Sequence, residues 1–450
     1  MINLNEIAEN ILNISKQYGC NAQISMKQSE SKDISLRNGE IERLLTSVAV
    51  STGIRLFKGK KSTLISFSGE DFNDMEHRIK IALQNADYLN DDNYRRLLNP
   101  DEFAGEETSL DLNDNHYDHI DIPQIKEALK RIESRALAFS NKITPSDTAD
   151  FSGSRSAFYL FSSEGLRKHY NKSFYSFGYT AVAQENGLKE RDSWSENKRH
   201  FSQLPALSDI GRIGEIAAEK AAKRLGGKKI KSGEYRVIFP WRTADNLLDL
   251  IGDAIDGEAI VAKNSFLVDK VGEKIFPDRI TIIDDPLIPK YIGSYPFDGE
   301  GMNGKTKPLI ADGRLVTYLH NSYSAGKLHA SLTGNASHAI ASAPHITVGN
   351  FYLQGGQGTL EDLITEMKDG LMIEELYISG INDVTGDFSF GCTGFLIENS
   401  RITTPVKEIT IAGNLLELYR NITHVADDNP WRSSVSSPSI LVSHLTVAGS

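Results

Sequence analysis

Cysteine is scarce in this 450-residue chain: Cys20 and Cys392 are the only two, far apart in sequence. That excludes a disulfide framework and a cysteine-rich zinc module. No run of 18 apolar residues occurs, so no membrane-spanning helix is expected. The start, Met1-Ile2-Asn3-Leu4-Asn5-Glu6, has no basic stretch leading into an apolar one. It therefore does not read as a signal peptide, and a cytoplasmic protein is expected. Positive charge is also in deficit: 49 Lys and Arg against 60 Asp and Glu give −11. With no basic stripe to offset that balance, a phosphate backbone is repelled and nucleic acid is not an expected partner. What remains is an ordinary globular composition, 40% apolar and 24% charged, which rules out wholesale disorder.

The periodicity divides the chain. Leu4, Ile7, Ile11, Leu12 and Ile14 predict a helix over 3–18, stopped at Gly19. Asn38-Gly39 predicts a two-residue hairpin turn, since both positions tolerate positive φ. Strands follow at Val48–Phe57 and Ser62–Phe67, then a helix from Asp71 to Leu89. The acidic, aperiodic stretch 90–120 reads as a long surface loop. Asp121 and Pro123 open a helix to about Ala138, and 149–201 reads as a strand meander. Ser208 caps a helix ending near Gly226-Gly227, and Lys228-Lys229-Ile230-Lys231-Ser232-Gly233 reads as a linker. Beyond it come a strand at Tyr235–Phe239, a helix over Thr243–Asp256, and a β-rich remainder with one short helix at Leu360–Met367. The expected class is α+β: an α/β N-terminal domain over 1–228 and a β-rich C-terminal domain over 229–450.

The motifs that match best carry little chemistry. Gly299-Glu300-Gly301-Met302-Asn303-Gly304-Lys305-Thr306 satisfies G-x-x-x-x-G-K-[ST]. Pro308 follows at once, and Leu309 to Val316 reads as a hairpin around Asp312-Gly313. Without a helix the amides would not converge on a phosphate. No histidine precedes a glutamate, so no His-Glu-x-x-His helix exists. His116-Tyr117-Asp118-His119 lies in the acidic loop and reads as solvated, and His320, His329, His338 and His345 are scattered through strand-like sequence. There is no G-x-S-x-G elbow, and Cys392 has no basic neighbour to activate it. Gly355-Gly356-Gln357-Gly358 reads as a turn.

Taken together, several segments resemble the TldD/PmbA family, also called modulators of DNA gyrase. They are Gly293 to Gly301, Leu309 to Leu319, Ser324 to Leu328, Thr333 to Ala336, Gly386 to Asn399 and Pro405 to Asn414. Leu36 to Glu42 and Gly53 to Phe57 match near the start, so the resemblance covers nearly the whole chain.

One branch of that family carries His-Glu-x-x-x-His on a helix early in the C-terminal domain, with a cysteine near the C-terminus, and these hold a catalytic zinc. Alignment on Gly252 and Ile255-Asp256-Gly257 puts Leu248 and Asp253 at the two histidine positions and Asp249 at the glutamate. Arg432 to Ser437 contains no cysteine. Leucine has no lone pair for zinc, and an aspartate does not restore a two-imidazole site. The resemblance is therefore closest to the PmbA/TldE branch, which lacks the metal motif. It implies no catalytic residues, no metal and no cofactor in this chain. The implied role is a subunit that pairs with a TldD-like zinc protease and takes peptide or unfolded polypeptide as substrate. The alternative is a stand-alone homodimeric peptide-binding protein, or a hydrolase with unrecognised catalytic residues. Either way a dimer is expected, with open edges of the C-terminal strands taking an extended peptide or a partner.

Overall fold

The computed structural model describes residues 3–69, 72–105, 108–145 and 147–449. It is an α+β protein. Met1 and Ile2, and Asp71 where the second helix was expected to open, lie outside the described residues.

The first half is organised by one seven-stranded sheet whose neighbours are all antiparallel. Its strands are Asn21–Arg37, Glu40–Lys58, Lys61–Ser68, Ile143–Thr144, Ala149–Ser162, Arg167–Glu185 and Leu188–Lys198. Asn38 and Gly39 take φ of 52° and 76°, the hairpin turn the dipeptide predicts. Their amides are then held by the carboxylate of Glu133 at 2.6 and 2.7 Å. Glu133 is buried on the helix Ile122–Phe139, so a turn set by local sequence is locked by a distant helix.

That helix and Arg212–Lys223 lie so close that Gly214 approaches the Ile132 carbonyl, leaving no space for a side chain. Both close over Phe151, Tyr175, Phe177 and Tyr179 of the sheet. The helices Leu4–Gln17 and Met75–Ala86 pack another core against Ala22, Ile24, Met26 and Ile54.

The stretch 90–120 is not a plain surface loop. Leu97, Leu98, Leu110, Leu112, Tyr117 and Ile120 are buried, and short helices form at Pro100–Phe103 and Asn115–His119. Its apolar residues are spaced too irregularly to signal an element, yet each is anchored singly. The strand Asn21–Arg37 also starts far earlier than its apolar end suggests, because its middle carries polar residues that are only half-buried.

The second half has two sheets. Gly233–Phe239, Gly370–Tyr377, Asp387–Glu398, Arg401–Asn414 and Ile440–Ala448 pair into a closed ring, because Arg401–Asn414 bonds both Asp387–Glu398 and Ile440–Ala448. Ile422–Val425 adds beyond Ile440–Ala448. Ring closure removes most of the open edge expected of these strands. The second sheet joins Arg314–Leu315, Lys307–Ala311, Ile282–Asp284, Phe351–Leu353 and Val435–Ser436.

The helix Trp241–Ala254 packs Leu247, Leu248, Leu250 and Ile251 into the core shared by both sheets. Besides Leu360–Met367, short helices form at Gly257–Val261, Ser322–Leu328 and Leu415–Arg420. They are too short for periodicity to reveal. Helix Arg212–Lys223 starts after Ser208, with Gly211 rather than the serine at its N-cap.

The passage between the sheets falls within 224–232. It is docked rather than free: Lys228 bridges to Val406, and Ile230 is buried. Elsewhere the halves meet through ion pairs such as Arg432–Glu196 and through main chain. Arg199 donates to the carbonyls of Tyr291 and Ile292, and Gly53 lies against the Ile340 carbonyl.

Candidate functional site

The helix Trp241–Ala254 begins after Pro240 and follows directly from the strand Gly233–Phe239. Its apolar positions face the core, which fixes its rotation and hence what its other face offers. Leu248 points inward and is 5% exposed. Asp249 and Asp253 are exposed, and Asp245, four residues earlier, continues their row. The sequence reading missed Asp245, although extending the four-residue spacing backwards would have found it.

The segment 432–437 comes to the same place. The Asp245 carboxylate accepts the main-chain N–H of Ser437 at 2.5 Å. Thus the two segments that the family resemblance sets against a zinc motif are neighbours here. Around them is an aromatic wall drawn from both halves of the chain. Trp194 meets Trp241 edge-on with ring centres 5.9 Å apart, and the Arg432 guanidinium lies 4.1 Å from the Trp194 ring centre. Arg432 is held in turn by Glu196 at 2.8 Å. Tyr291 and Tyr352 pack on Trp431.

Burial dominates the electrostatics. The Asp245 carboxyl is pushed up to about 7, chiefly by desolvation and further by Asp249, with the Ser437 N–H opposing. Although their side chains reach solvent, partial desolvation against the helix surface raises Asp249, and it raises Asp253 together with the charges of Asp249, Asp256 and Asp383. The Tyr291 hydroxyl is buried with no hydrogen-bond partner among the described residues, and its phenol is pushed up by burial and then by Asp245. Asp256 is occupied otherwise: it caps the helix Gly257–Val261 by accepting the N–H groups of Glu258 and Ala259.

A metallopeptidase fold implies zinc, and the donor set decides whether the residues fit it. Leu248 offers no donor atom, the two aspartates are hard oxygen ligands on an exposed face, and the adjoining 432–437 segment carries no thiol. No group of three or more His, Cys, Asp or Glu side chains is placed to hold a metal among the described residues. The site does not fit zinc.

The other candidates are drawn into packing. After Gly304 the chain enters the strand Lys307–Ala311, and the loop amides of Glu300, Gly301 and Met302 converge on the buried carboxyl of Asp298. That loop is already satisfied by its own anion. His116 stacks on Phe201 with centres 4.0 Å apart, and Asp118 pairs with Arg155. His119 is exposed.

His320 is buried against Ser324, His329 ends the helix Ser322–Leu328 in a left-handed conformation, and His345 bonds Ser337. His338 sits among Phe158, Tyr170, Tyr295 and Phe297, and desolvation lowers it to about 3. Cys20 and Cys392 are free and buried, with the Cys392 thiol pushed up to about 12 by burial. Gly356 abuts the Val425 carbonyl, a packing reason for the Gly355-Gly356 pair.

Models of the first, central and C-terminal domains of the PmbA/TldA metallopeptidases match residues 22–86, 115–225 and 232–449. The Haemophilus influenzae protein named metalloprotease PmbA homolog is 31% identical over 433 residues, covering 96% of this chain and 93% of its own.

The chain belongs to the PmbA/TldD family.

Among solved structures, a Bacteroides thetaiotaomicron protein bearing the name modulator of DNA gyrase superposes with a TM-score of 0.90 at 26% identity, over 99% of both chains. TldE from Thermococcus kodakarensis shares the fold, with a TM-score of 0.84 at 22% identity over 98% of this chain and 100% of its own. The PmbA/TldD fold thus covers nearly the whole chain, including the helix Trp241–Ala254.

Proposed function

We propose that this protein is the PmbA/TldE-type subunit of a TldD/TldE-like metalloprotease assembly, itself without a catalytic centre. It acts in the cytoplasm on peptide or unfolded polypeptide, and its two domains meet at about residue 228. The carrying observation is the inward-facing Leu248, on a helix whose other motif positions are the exposed Asp249 and Asp253. Without imidazole or thiol there is no Lewis acid and no activated water, so hydrolysis falls to a partner that has them. The Trp194, Trp241 and Arg432 wall, built from both halves, gives this chain a rigid aromatic surface beside the vestigial helix. Such a surface suits contact with a partner or a peptide.

The test is co-purification with a TldD-like protein carrying His-Glu-x-x-x-His, then peptidase assays of each protein alone and of the mixture. Activity confined to the mixture, or raised by this chain and abolished by a chelator, is expected. Chelator-insensitive hydrolysis by this chain alone would transfer the assignment to a hydrolase with a different centre.

A further inference from the structure

The sheet of the first half has two unlike faces. Helices cover one of them. The other is polar: on Asn21–Arg37 and Ala149–Ser162, Ser29 stands beside Ser156, Ser31 beside Ser154 and Asp33 beside Ser152. All six are half-buried, and the hydroxyls of Ser29, Ser154 and Ser156 have no hydrogen-bond partner among the described residues. At one end this floor runs into the second half of the chain. There Phe158 meets His338 edge-on with ring centres 4.4 Å apart, and Tyr170 meets Phe297 at 5.3 Å.

Lys172 stands at the foot of that wall, opposite Ser156 across the strands and with its ammonium 5.9 Å from the Tyr170 ring centre. It has no hydrogen bond or ion pair among the described residues. Arg199, bonded to the carbonyl of the next residue, Ser173, likewise takes only main-chain carbonyls and no carboxylate. Desolvation, then the positive charges of Arg199 and Lys27, bring the Lys172 amine down to about 7. A desolvated cation without a counter-ion is costly, and no described Asp or Glu answers this one in a chain that has 60 of them. The far end of the floor has the opposite sign. Asp33 accepts from Ser31 and Ser152 at 3.1 and 2.7 Å, and Asp150 from Ser35 and Thr148 at 2.5 and 2.9 Å. Neither has a Lys or Arg partner among the described residues.

We propose that Lys172 receives the C-terminal carboxylate of a short extended peptide lying on this hydroxyl face, its chain running from the Asp150 end toward the wall. Three features select that occupant. The floor is closed at the Lys172 end, so a chain that stops there fits and one that continues meets Phe297 and His338. The signs at the two ends favour a carboxylate at Lys172 and repel one at Asp33 and Asp150. Serine hydroxyls both donate and accept, so they suit a main chain without demanding particular side chains. Asp150 lies six residues from Ser156 along one strand, about 20 Å, which an extended peptide spans with about six residues. This rests on the proposed function in taking the ligand to be a peptide, and adds which end of it this chain holds.

The experiment uses the full chain and a hexapeptide of glycine, serine and alanine, made as the free acid and as the C-terminal amide. In titration calorimetry the free acid is expected to bind about tenfold or more tighter than the amide, the worth of a hydrogen-bonded charge pair. Lys172→Met, which keeps the bulk of the side chain, is expected to erase that preference without lowering the melting temperature. Lys172→Arg is expected to keep most of it.

Equal binding of acid and amide, or binding of neither, would overturn the proposal. So would a preference that survives Lys172→Met. An amide with a glutamate inside its sequence that binds as well as the free acid would show that any carboxylate serves. Inorganic phosphate displacing the free acid at equal concentration would show a general anion seat. Either result overturns the assignment to a chain terminus. If the free acid binds as expected but the mixture with a TldD-like protein is inactive, only the functional reading fails. If the mixture is active while acid and amide bind alike, only this inference fails.

Discussion

The carboxylate of Asp245 accepts the main-chain N–H of Ser437 at 2.5 Å, which ties the helix Trp241–Ala254 to the segment 432–437. These are the two segments that the family resemblance sets against a zinc motif. With its carboxyl pushed up to about 7, Asp245 is a half-buried acid that ionises near neutrality.

The sign of its effect on stability follows from linkage. Near pH 3 the folded and unfolded forms are both protonated and there is no penalty. Between about 4 and 7 the unfolded chain releases the proton first, so stability falls as pH rises, and above that range the loss is complete. Asp245→Asn keeps an oxygen for Ser437 and removes the ionisation. Its melting temperature relative to wild type should therefore climb between pH 4 and pH 8, by the equivalent of about 2 kcal/mol. A difference that is flat with pH would show that Asp245 is ionised in the fold without cost.

The phosphate-loop look-alike separates pattern from chemistry. Gly299 lies against the carbonyl of Ser337 with no room for a Cβ, while Lys305 is exposed. If the sequence match is coincidental, Gly299→Ala should cost about 3 kcal/mol or more by overpacking against backbone. Lys305→Ala should change neither stability nor peptidase stimulation, measured by thermal unfolding and in the reconstituted mixture. Nucleotide binding abolished by Lys305→Ala would contradict this.

Much of this was legible in residue order, and the failures have physical causes. Asn38-Gly39 announced its hairpin because that turn needs two positive φ values. The Trp241–Ala254 helix showed itself through its apolar spacing, which also sets Leu248 inward. What sequence did not reveal depends on tertiary partners. The burial of Leu97, Leu98, Leu110 and Leu112 comes from surfaces far along the chain. Ring closure between Arg401–Asn414 and Ile440–Ala448 is a pairing that no local pattern encodes. The convergence of Trp194, Trp241 and Arg432 needed both halves in place.

Arg224 holds those halves together electrostatically. It pairs with Glu375 and with Asp192 at 3.3 Å, and Asp192 also takes Arg242 at 2.7 Å. Burial raises the Asp192 carboxyl, but Arg242 and Lys220 outweigh that and hold it below the usual range. Removing one member strands buried charges, so Arg224→Ala should cost about 3 kcal/mol. It should also speed limited proteolysis near 224–232, where the chain passes between sheets. Unchanged thermal unfolding and cleavage would show that main-chain contacts alone suffice.

The zinc question has a direct answer in elemental analysis. Asp249 and Asp253 share an exposed helix face, Leu248 turns away from them into the core, and the nearby 432–437 segment brings serines instead of a thiol. The purified chain should hold far less than one zinc, and a chelator should leave its melting temperature unchanged. Asp249→Asn with Asp253→Asn should alter neither result. Leu248→His tests the helix from the other side. Its ring would enter a site lined by hydrocarbon, so the variant should lose about 2–3 kcal/mol without gaining zinc. One tightly held zinc per chain, with a chelator-sensitive melting temperature, would mean that these oxygens recruit ligands the sequence does not announce, and the chain would then have a metal centre of its own.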